Sequence, residues 1–416
     1  MTASPPSADV AVRSRRTIIT TLGVTQIMAW GSSYYLPAVI APAVVADTGW
    51  PLAWVVGGLS LGLLTAGVIS PHVGFSIERH GGRNVLAFSA GCIGLGQIGL
   101  AVAPNLAAYV VSWLVIGLGM GAGLYDAAFG TLGRLYGQGA RSAITTLTLF
   151  GGFASTICWP ISAFLLGEIG WRGTCLAYAA VQLCMALPLY LVILPRGLPQ
   201  PAAKAASGGA VTPALQTGSN LPIMVVLAAT LTLAAVISST LSVHLLTILQ
   251  KGGMTLAAAV GLGALVGPSQ VAARTIEMVI ARFHHPIWTK FASVTFVAIG
   301  VSALSLGIPI IPLALAFYGA GIGLESIARG TLPLAMFGSN GYAKLMGRLA
   351  MPSLIAQAAA PSVGALLLQR FGAYGTLATL SGLALFNVAL ACSLGWLVFT
   401  RGNVQVQPQS SATDLT

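Results

Sequence analysis

Acidic side chains are almost missing from this sequence: 416 residues hold 8 Asp and Glu, against 19 Lys and Arg. Charged residues make up 6% of the chain, where a soluble domain carries about a quarter. So few charges cannot coat a water-facing surface. A hydrophobic content of 56% and a mean hydropathy of +0.88 say what replaces it, surface that faces lipid. The shortage excludes a cytosolic enzyme, a secreted disulfide scaffold and a DNA binder, although the net charge is +11. In a membrane chain a basic excess reports loop orientation rather than a nucleic-acid partner. Cysteine is scarce too. Cys92, Cys158, Cys175, Cys184 and Cys392 lie in apolar stretches, with no C-x-x-C pair and no histidine at ligand spacing, so no metal site is expected. Walker A, H-E-x-x-H and dinucleotide fingerprints are missing, so no cofactor is expected either. The G-x-S-x-G match at Gly58, Ser60 and Gly62 sits inside an apolar helical run, not in the strand–turn–helix setting of a nucleophile elbow.

What is present is a series of apolar runs of about 20 residues, the length that spans a bilayer as a helix. They fall at 18–45, 51–77, 84–103, 107–133, 142–168, 173–195, 221–250, 255–281, 289–307, 310–337, 346–369 and 374–399. Being continuous rather than alternating, they predict an all-α membrane protein and not a barrel. The long polar interruption, 196–220, is rich in Pro, Gly, Ala and Ser and reads as a flexible linker. The expected organisation is an N-terminal tail (1–16), a six-helix bundle (17–195), the linker (196–220), a second six-helix bundle (221–400) and a C-terminal tail (401–416). The first apolar run is too long for a signal peptide's core and has no small-residue cleavage site, so it is expected to stay as the first spanning helix. With both termini cytoplasmic, fourteen Lys and Arg fall on the cytoplasmic side, Lys290 among them. Three fall outside, and Arg274 and Arg329 lie within helices. That bias sets the orientation.

The two halves read as copies. At an offset of 200, 119–132 (GMGAGLYDAAFGTL) and 319–332 (GAGIGLESIARGTL) share eight of fourteen residues. A weaker match aligns 70–83 with 269–282, setting Glu277 opposite Glu78 and Arg282 opposite Arg83. A duplication of six plus six helices is expected to place a binding site between the halves near the bilayer midplane.

The segment Gly74-Phe75-Ser76-Ile77-Glu78-Arg79-His80-Gly81-Gly82-Arg83 resembles the loop 2–3 signature of the major facilitator superfamily, G-x-x-x-D/E-R-x-G-x-R/K. It sits where that family carries it, and with twelve helices and the half-repeat the resemblance covers essentially the whole chain. It implies two pseudo-symmetric six-helix bundles working by rocker-switch alternating access. It also implies a gating and structural role for Gly74, Glu78, Arg79, Gly81 and Arg83, shared through the repeat by Glu277. Val115 stands where proton-coupled drug antiporters of the family carry an Arg, and their helix-five G-P-x-x-G-G is degraded to Trp159-Pro160-Ile161-Ser162-Ala163-Phe164. Arg274, deep in the eighth helix, is instead similar to the arginine that holds a substrate carboxylate in the monocarboxylate and oxalate–formate branch.

Ionisable groups inside a spanning helix are costly and mark function by default. Here they are Asp126, Arg274, Glu277, Glu325 and Arg329, with His72 and His244 as titratable extras. Gln270, Arg274 and Glu277 recur at i, i+4 and i+7 on one face. A guanidinium fork pairs bidentately with a carboxylate, so Arg274 either holds a substrate anion or is neutralised by Glu277 or Asp126. Glu325 and Arg329 have the spacing of an intrahelical pair, a structural bond or one that protonation of Glu325 releases. Asp126, with no charged neighbour on its own helix, is either a proton carrier or the partner of an arginine elsewhere. Gln26, Trp30, Ser33, Tyr34 and Pro37 form a stripe on helix one, and Ser238, Ser239, Ser242 and His244 its counterpart on helix seven; both suit an organic substrate or plain helix packing. The expected function is secondary transport of a small, monocarboxylate-like organic anion by proton symport or exchange. Arg274, Gln270, Trp30, Tyr34, Ser238 and Ser242 would bind substrate, and Asp126, Glu325 and Arg329 would couple protons. Proton-coupled efflux of amphipathic drugs or metabolites is the alternative. The expected partners are a small molecule, protons and the lipid bilayer, with the chain acting as a monomer in a bacterial inner membrane and binding no nucleic acid.

Overall fold

The computed structural model describes residues 14–196 and 221–404. The expected tails and linker lie largely outside the described residues. The described residues form twelve helical spans. These are α1 (15–48), α2 (Leu52–His80), α3 (Gly82–Val102), α4 (106–136), α5 (140–169), α6 (171–193), α7 (Leu221–Lys251), α8 (Leu256–Phe283), α9 (Pro286–Ser305), α10 (Ile311–Phe337), α11 (342–371) and α12 (373–404). Helical hydrogen bonding runs almost without pause over Leu106–Ile193. A straight helix of that length would reach about 130 Å, so something must turn it. Gly137 (φ 55°) and Gly170 (φ 68°) do, in backbone conformations that favour glycine. Gly372 (φ 68°) separates α11 from α12 in the same way. Leu64, Val68, Phe164, Leu366 and Trp396, all exposed, give the spans the apolar exterior of an integral membrane protein.

By their contacts the described residues divide into two compact units. One holds 14–196 with Gly341–Met351, and the other holds 221–340 and the residues from Pro352 onward. The first turns of α11 therefore group with the first unit.

Glycine sets how closely the helices pack. In α4, a Cβ on Gly117 would sit 2.8 Å from Gly62 Cα of α2, and one on Gly119 would sit 2.9 Å from Ser89 O of α3. In α10, Gly319 meets Val266 O of α8 at 2.6 Å and Gly321 meets Ser293 O of α9 at 2.7 Å. The small residues therefore serve packing inside each unit, as the spacing predicts.

These contacts correct the alignment of the repeats. Gly119 packs on α3, but Gly319, its partner at offset 200, packs on α8, the counterpart of α2. The packing agrees when α10 is set 202 residues after α4, and α8 and α9 are set 204 after α2 and α3. The pairs Gly117/Gly62 and Gly319/Val266 then coincide, as do Gly96/Ile116 and Gly300/Tyr318. The bond from Ser89 Oγ to Gly119 O (2.7 Å) recurs as Ser293 Oγ to Gly321 O (2.9 Å). At the corners, Thr174 bonds Gly170 O and Thr376 bonds Gly372 O, again 202 apart. In this register Glu325 matches Gly123, Arg274 matches Ser70 and Arg282 matches Glu78. The equivalence of Glu277 with Glu78 falls. Three of the eight identities at offset 200 come from glycines that recur every second residue, so a two-residue slip still aligns them.

The register predicts paired but unequal effects at equivalent positions. A Cβ on Gly300 would lie 2.7 Å from Tyr318 N, and one on Gly96 would lie 3.0 Å from Ile116 N. Gly300→Ala should cost about 1–3 kcal/mol of stability and Gly96→Ala less, read by thermal unfolding of the purified protein. A larger loss at Gly96 contradicts the assignment.

Candidate functional site

In the first unit, polar groups gather where helices are broken. Pro37 has no N–H, so α1 cannot keep its regular ladder one turn earlier. It relaxes into a π-helical turn over Gly31–Tyr35 and bends by 40° before Pro37–Thr48. The side-chain amide of Gln97 donates to Ser32 O, and that of Gln182 to Ser32 Oγ at 2.8 Å. Gln182 itself lies in a second π turn, Val181–Ala186 in α6. Such turns concentrate at functional sites.

This π turn gathers an aromatic group. Trp30 lies 5.3 Å from Tyr34, 6.1 Å from Tyr35 and 5.1 Å from Tyr125 of α4, and Tyr35 lies 5.9 Å from Trp159 of α5. Trp30 and Tyr34 were expected together from regular spacing. Tyr35 was not, because it joins only through the extra residue of the π turn. Ser33 is fully buried and bonds Ala29 O at 2.6 Å, so it belongs to packing.

Sequence reasoning also missed a break in α4. Leu124 is extended (ψ −171°), and a new helical segment, Tyr125–Tyr136, starts there. Ala127 N bonds Leu124 O, which leaves Gly123 O without its helical donor; Gln26 Nε2 supplies one at 2.6 Å. Trp30 Nε1 in turn bonds Gln26 Oε1 at 3.2 Å. Asp126 lies half-buried in the first turn of the new segment, where backbone N–H groups favour a carboxylate.

The signature segment caps helices. Arg83 Nε donates to Leu191 O (2.8 Å) near the end of α6, and Glu78 accepts Ala343 N (3.3 Å) in the first turn of α11. Both charges suit the helix ends they meet. A Cβ on Gly74 would lie 3.1 Å from Gly347 Cα, Gly81 has φ 85°, and Arg79 lies over the Phe75 ring at 4.9 Å.

The second unit carries the buried charges. Arg274 is 5% exposed. Its Nε donates to Ser326 Oγ (3.0 Å) and Gly323 O (3.3 Å) of α10, and its Nη2 donates to Gln270 Oε1 (3.3 Å) one turn back on α8. Nη1 is buried without a hydrogen-bond partner. No carboxylate among the described residues pairs with Arg274. Glu277, three residues on along the same face, is engaged elsewhere: it accepts Thr289 Oγ1 at 2.6 Å and lies 3.5 Å from His284 Nε2. The protein thus holds one edge of the guanidinium and leaves its outer fork, Nη1 with the second proton of Nη2, unmatched. Glu277 is therefore not its permanent counter-ion.

Glu325 departs from expectation. Lys290 Nζ lies 2.5 Å from its Oε1, and Ser293 Oγ donates to its Oε2 at 2.8 Å. Its partner is Lys290 of α9, not Arg329. Lys290, counted above among cytoplasmic charges, is fully buried among the spanning helices and also reaches Thr230 O of α7. Its place in the first turns of a run headed by Pro286, beside Thr289 and Ser293, was the available signal; a lone lysine near a helix end reads as a loop charge. On α7, Ser242 is exposed and Ser238 half-buried, its carbonyl accepting Tyr318 OH at 3.4 Å. Ser239, Thr240 and His244 instead bond the backbone of α11 around Pro361, at Gln357 O, Ala360 O and Pro361 O. Because Pro361 lacks an N–H, Gln357 O would otherwise be an orphan.

The family model described as Major Facilitator Superfamily matches residues 21–280. An uncharacterized 38 kDa protein in the 23S RNA operon of Thermoproteus tenax is 30% identical over 175 residues, 41% of this chain and 46% of its own length. A multidrug resistance protein B homolog of Mycobacterium tuberculosis is 30% identical over 159 residues, 37% of this chain and 28% of its own. The chain thus spans under half the length of these curated relatives. Among solved structures, the human organic anion transporter MFSD10 (TETRAN) superposes with a TM-score of 0.71 at 17% identity, over 93% of this chain and 100% of its own.

The break in α4 predicts a cost for losing its donor. Gln26→Leu leaves Gly123 O buried and unpaired, which should lower stability by about 1–3 kcal/mol and change Trp30 fluorescence, because the ring loses its acceptor. Wild-type melting and emission would contradict the capping role.

Proposed function

The chain belongs to the Major Facilitator Superfamily, and from that premise we propose that it carries a small organic anion of the monocarboxylate kind by proton symport or exchange. It is an integral membrane transporter, and members of this family move small molecules rather than transform them. The observation that carries the substrate class is Arg274, a buried guanidinium with an unmatched outer fork and no carboxylate beside it. A buried charge left uncompensated costs about 3–5 kcal/mol. A bound carboxylate would supply the two missing acceptors and the missing charge together. Gln270 and Ser326 hold the guanidinium plane in place for it, and Trp30 and Tyr34 are the substrate contacts proposed on the first unit, where rings suit an apolar body. Ser238 and Ser242 keep a weaker claim, since packing engages their neighbours instead. Glu325 is the leading proton site, Asp126 and Arg329 follow, the signature segment is structural and gating, and Glu277, bonded to Thr289 and beside His284, is structural. The proposed setting is a bacterial inner membrane, with both termini cytoplasmic and the chain a monomer.

Efflux of amphipathic compounds is the second reading, favoured by the match to the multidrug resistance protein B homolog. It needs acidic residues but not Arg274. Uptake of labelled lactate, pyruvate and benzoate into proteoliposomes separates the two. Arg274→Gln should abolish carboxylate uptake, and Arg274→Lys should lower it at least tenfold, because a point charge lacks the fork. Undiminished uptake in both variants removes Arg274 from the site.

A further inference from the structure

Arg274, Glu277, Lys290, Glu325 and Arg329 are ionisable side chains on the spanning helices of the second unit. Glu277 is committed to Thr289 and His284. Glu325 is committed to Lys290 and Ser293. Lys290 is 0% exposed, and its ammonium reaches the Glu325 carboxylate and Thr230 O. A lysine this deep among lipid-embedded helices is expensive and marks function. The pair is joined to the anion-binding arginine by the backbone of a single turn, because Glu325 meets Lys290 while the next residue, Ser326, holds Arg274 Nε at 3.0 Å.

Resting on the anion reading of Arg274, we propose that Lys290 is the coupling residue of this transporter: Glu325 holds its charge neutral until Glu325 takes up a proton, and the cation then released strengthens anion binding, so that proton and anion travel together. The sign follows from linkage. Protonating Glu325 removes one negative charge beside Lys290 and leaves an unbalanced cation near Arg274, which favours an anion. An anion bound there favours the proton by the same factor. Exchange of a proton against the anion would require the opposite sign. Around Glu325 stand Lys290 and Ser293 from α9, Arg274 of α8 through Ser326, and Arg329 on its own helix, while Thr230 of α7 accepts Lys290 Nζ through its carbonyl and bonds Asn387 of α12 through its hydroxyl.

Infrared difference spectroscopy on the full chain in lipid nanodiscs, without any anion, tests the switch. Acidification should raise a protonated-carboxyl band that is missing in Glu325→Gln. Lys290→Met should move the midpoint of that band up by at least about one pH unit, while Lys290→Arg leaves it close to wild type. Ser293→Ala, a milder change that removes only the bond to Oε2, should move it the same way by a smaller step. It serves where Lys290→Met does not fold. A midpoint indifferent to Lys290→Met, or to Ser293→Ala where that stands in for it, overturns the proposal. Binding of lactate then separates the two readings. Wild type should bind about tenfold more tightly on acidification, Glu325→Gln tightly at every pH and Lys290→Met weakly at every pH. Lactate binding that weakens on acidification overturns the proposal and leaves Arg274 as the anion site. No binding of lactate, pyruvate or benzoate at any pH overturns both.

Discussion

A buried guanidinium with no carboxylate to meet it is the constraint around which the second unit is arranged. Arg274 cannot be solvated where it lies, and the protein satisfies only part of it: Ser326 and Gly323 O take Nε, Gln270 takes one proton of Nη2, and Nη1 has nothing. Structural arginines are normally satisfied by neighbours. Here the acid nearly one turn away, Glu277, is turned to Thr289 and His284, and the acid next to Ser326, Glu325, is taken by Lys290. Both acids of the second unit beside these groups are engaged elsewhere, and Nη1 of Arg274 is left without a partner.

The first unit meets a different constraint with a different device. Its buried amides are Gln26, Gln97 and Gln182; Gln26 and Gln97 donate to backbone carbonyls at helix interruptions, and Gln182 donates to the Ser32 hydroxyl beside one. Interrupted helices leave carbonyls that lipid cannot satisfy. The amides supply donors without adding charge, and the interruptions allow Trp30, Tyr34, Tyr35 and Tyr125 to meet. The duplication thus retains the packing scaffold of both units but not their polar content. Where α4 breaks at Leu124, the equivalent stretch of α10 is continuous and carries Glu325 and Ser326 instead.

Much of this was legible in the amino-acid order. Twelve apolar runs, the signature around Glu78, the small-residue packing of α4 and α10, and the stripe of Gln270 and Arg274 follow from composition and helical spacing alone. What was not legible depends on contacts across helices. Spacing along α10 pointed Glu325 to Arg329, whereas the carboxylate turns to α9. Lys290 read as a loop charge because hydropathy cannot say which way a residue at a helix end faces. The π turn at Gly31–Tyr35 shifts the phase of α1 by one residue and brings in Tyr35, which regular spacing excludes. Repeats rich in alternate glycines align well at the wrong register, and the packing of Gly96, Gly117, Gly300 and Gly319 on their neighbours fixes the right one.

Whether an anion completes Arg274 is read most directly from thermal unfolding of the purified protein with small monocarboxylates, sugars and lipophilic cations in turn. A ligand that binds only the folded state, at a hundred times its Kd, adds about 2.7 kcal/mol. Monocarboxylates should raise the melting temperature of wild type and leave Arg274→Gln unmoved, while sugars and cations change neither. Stabilisation by lipophilic cations alone, equal in both proteins, would contradict the account.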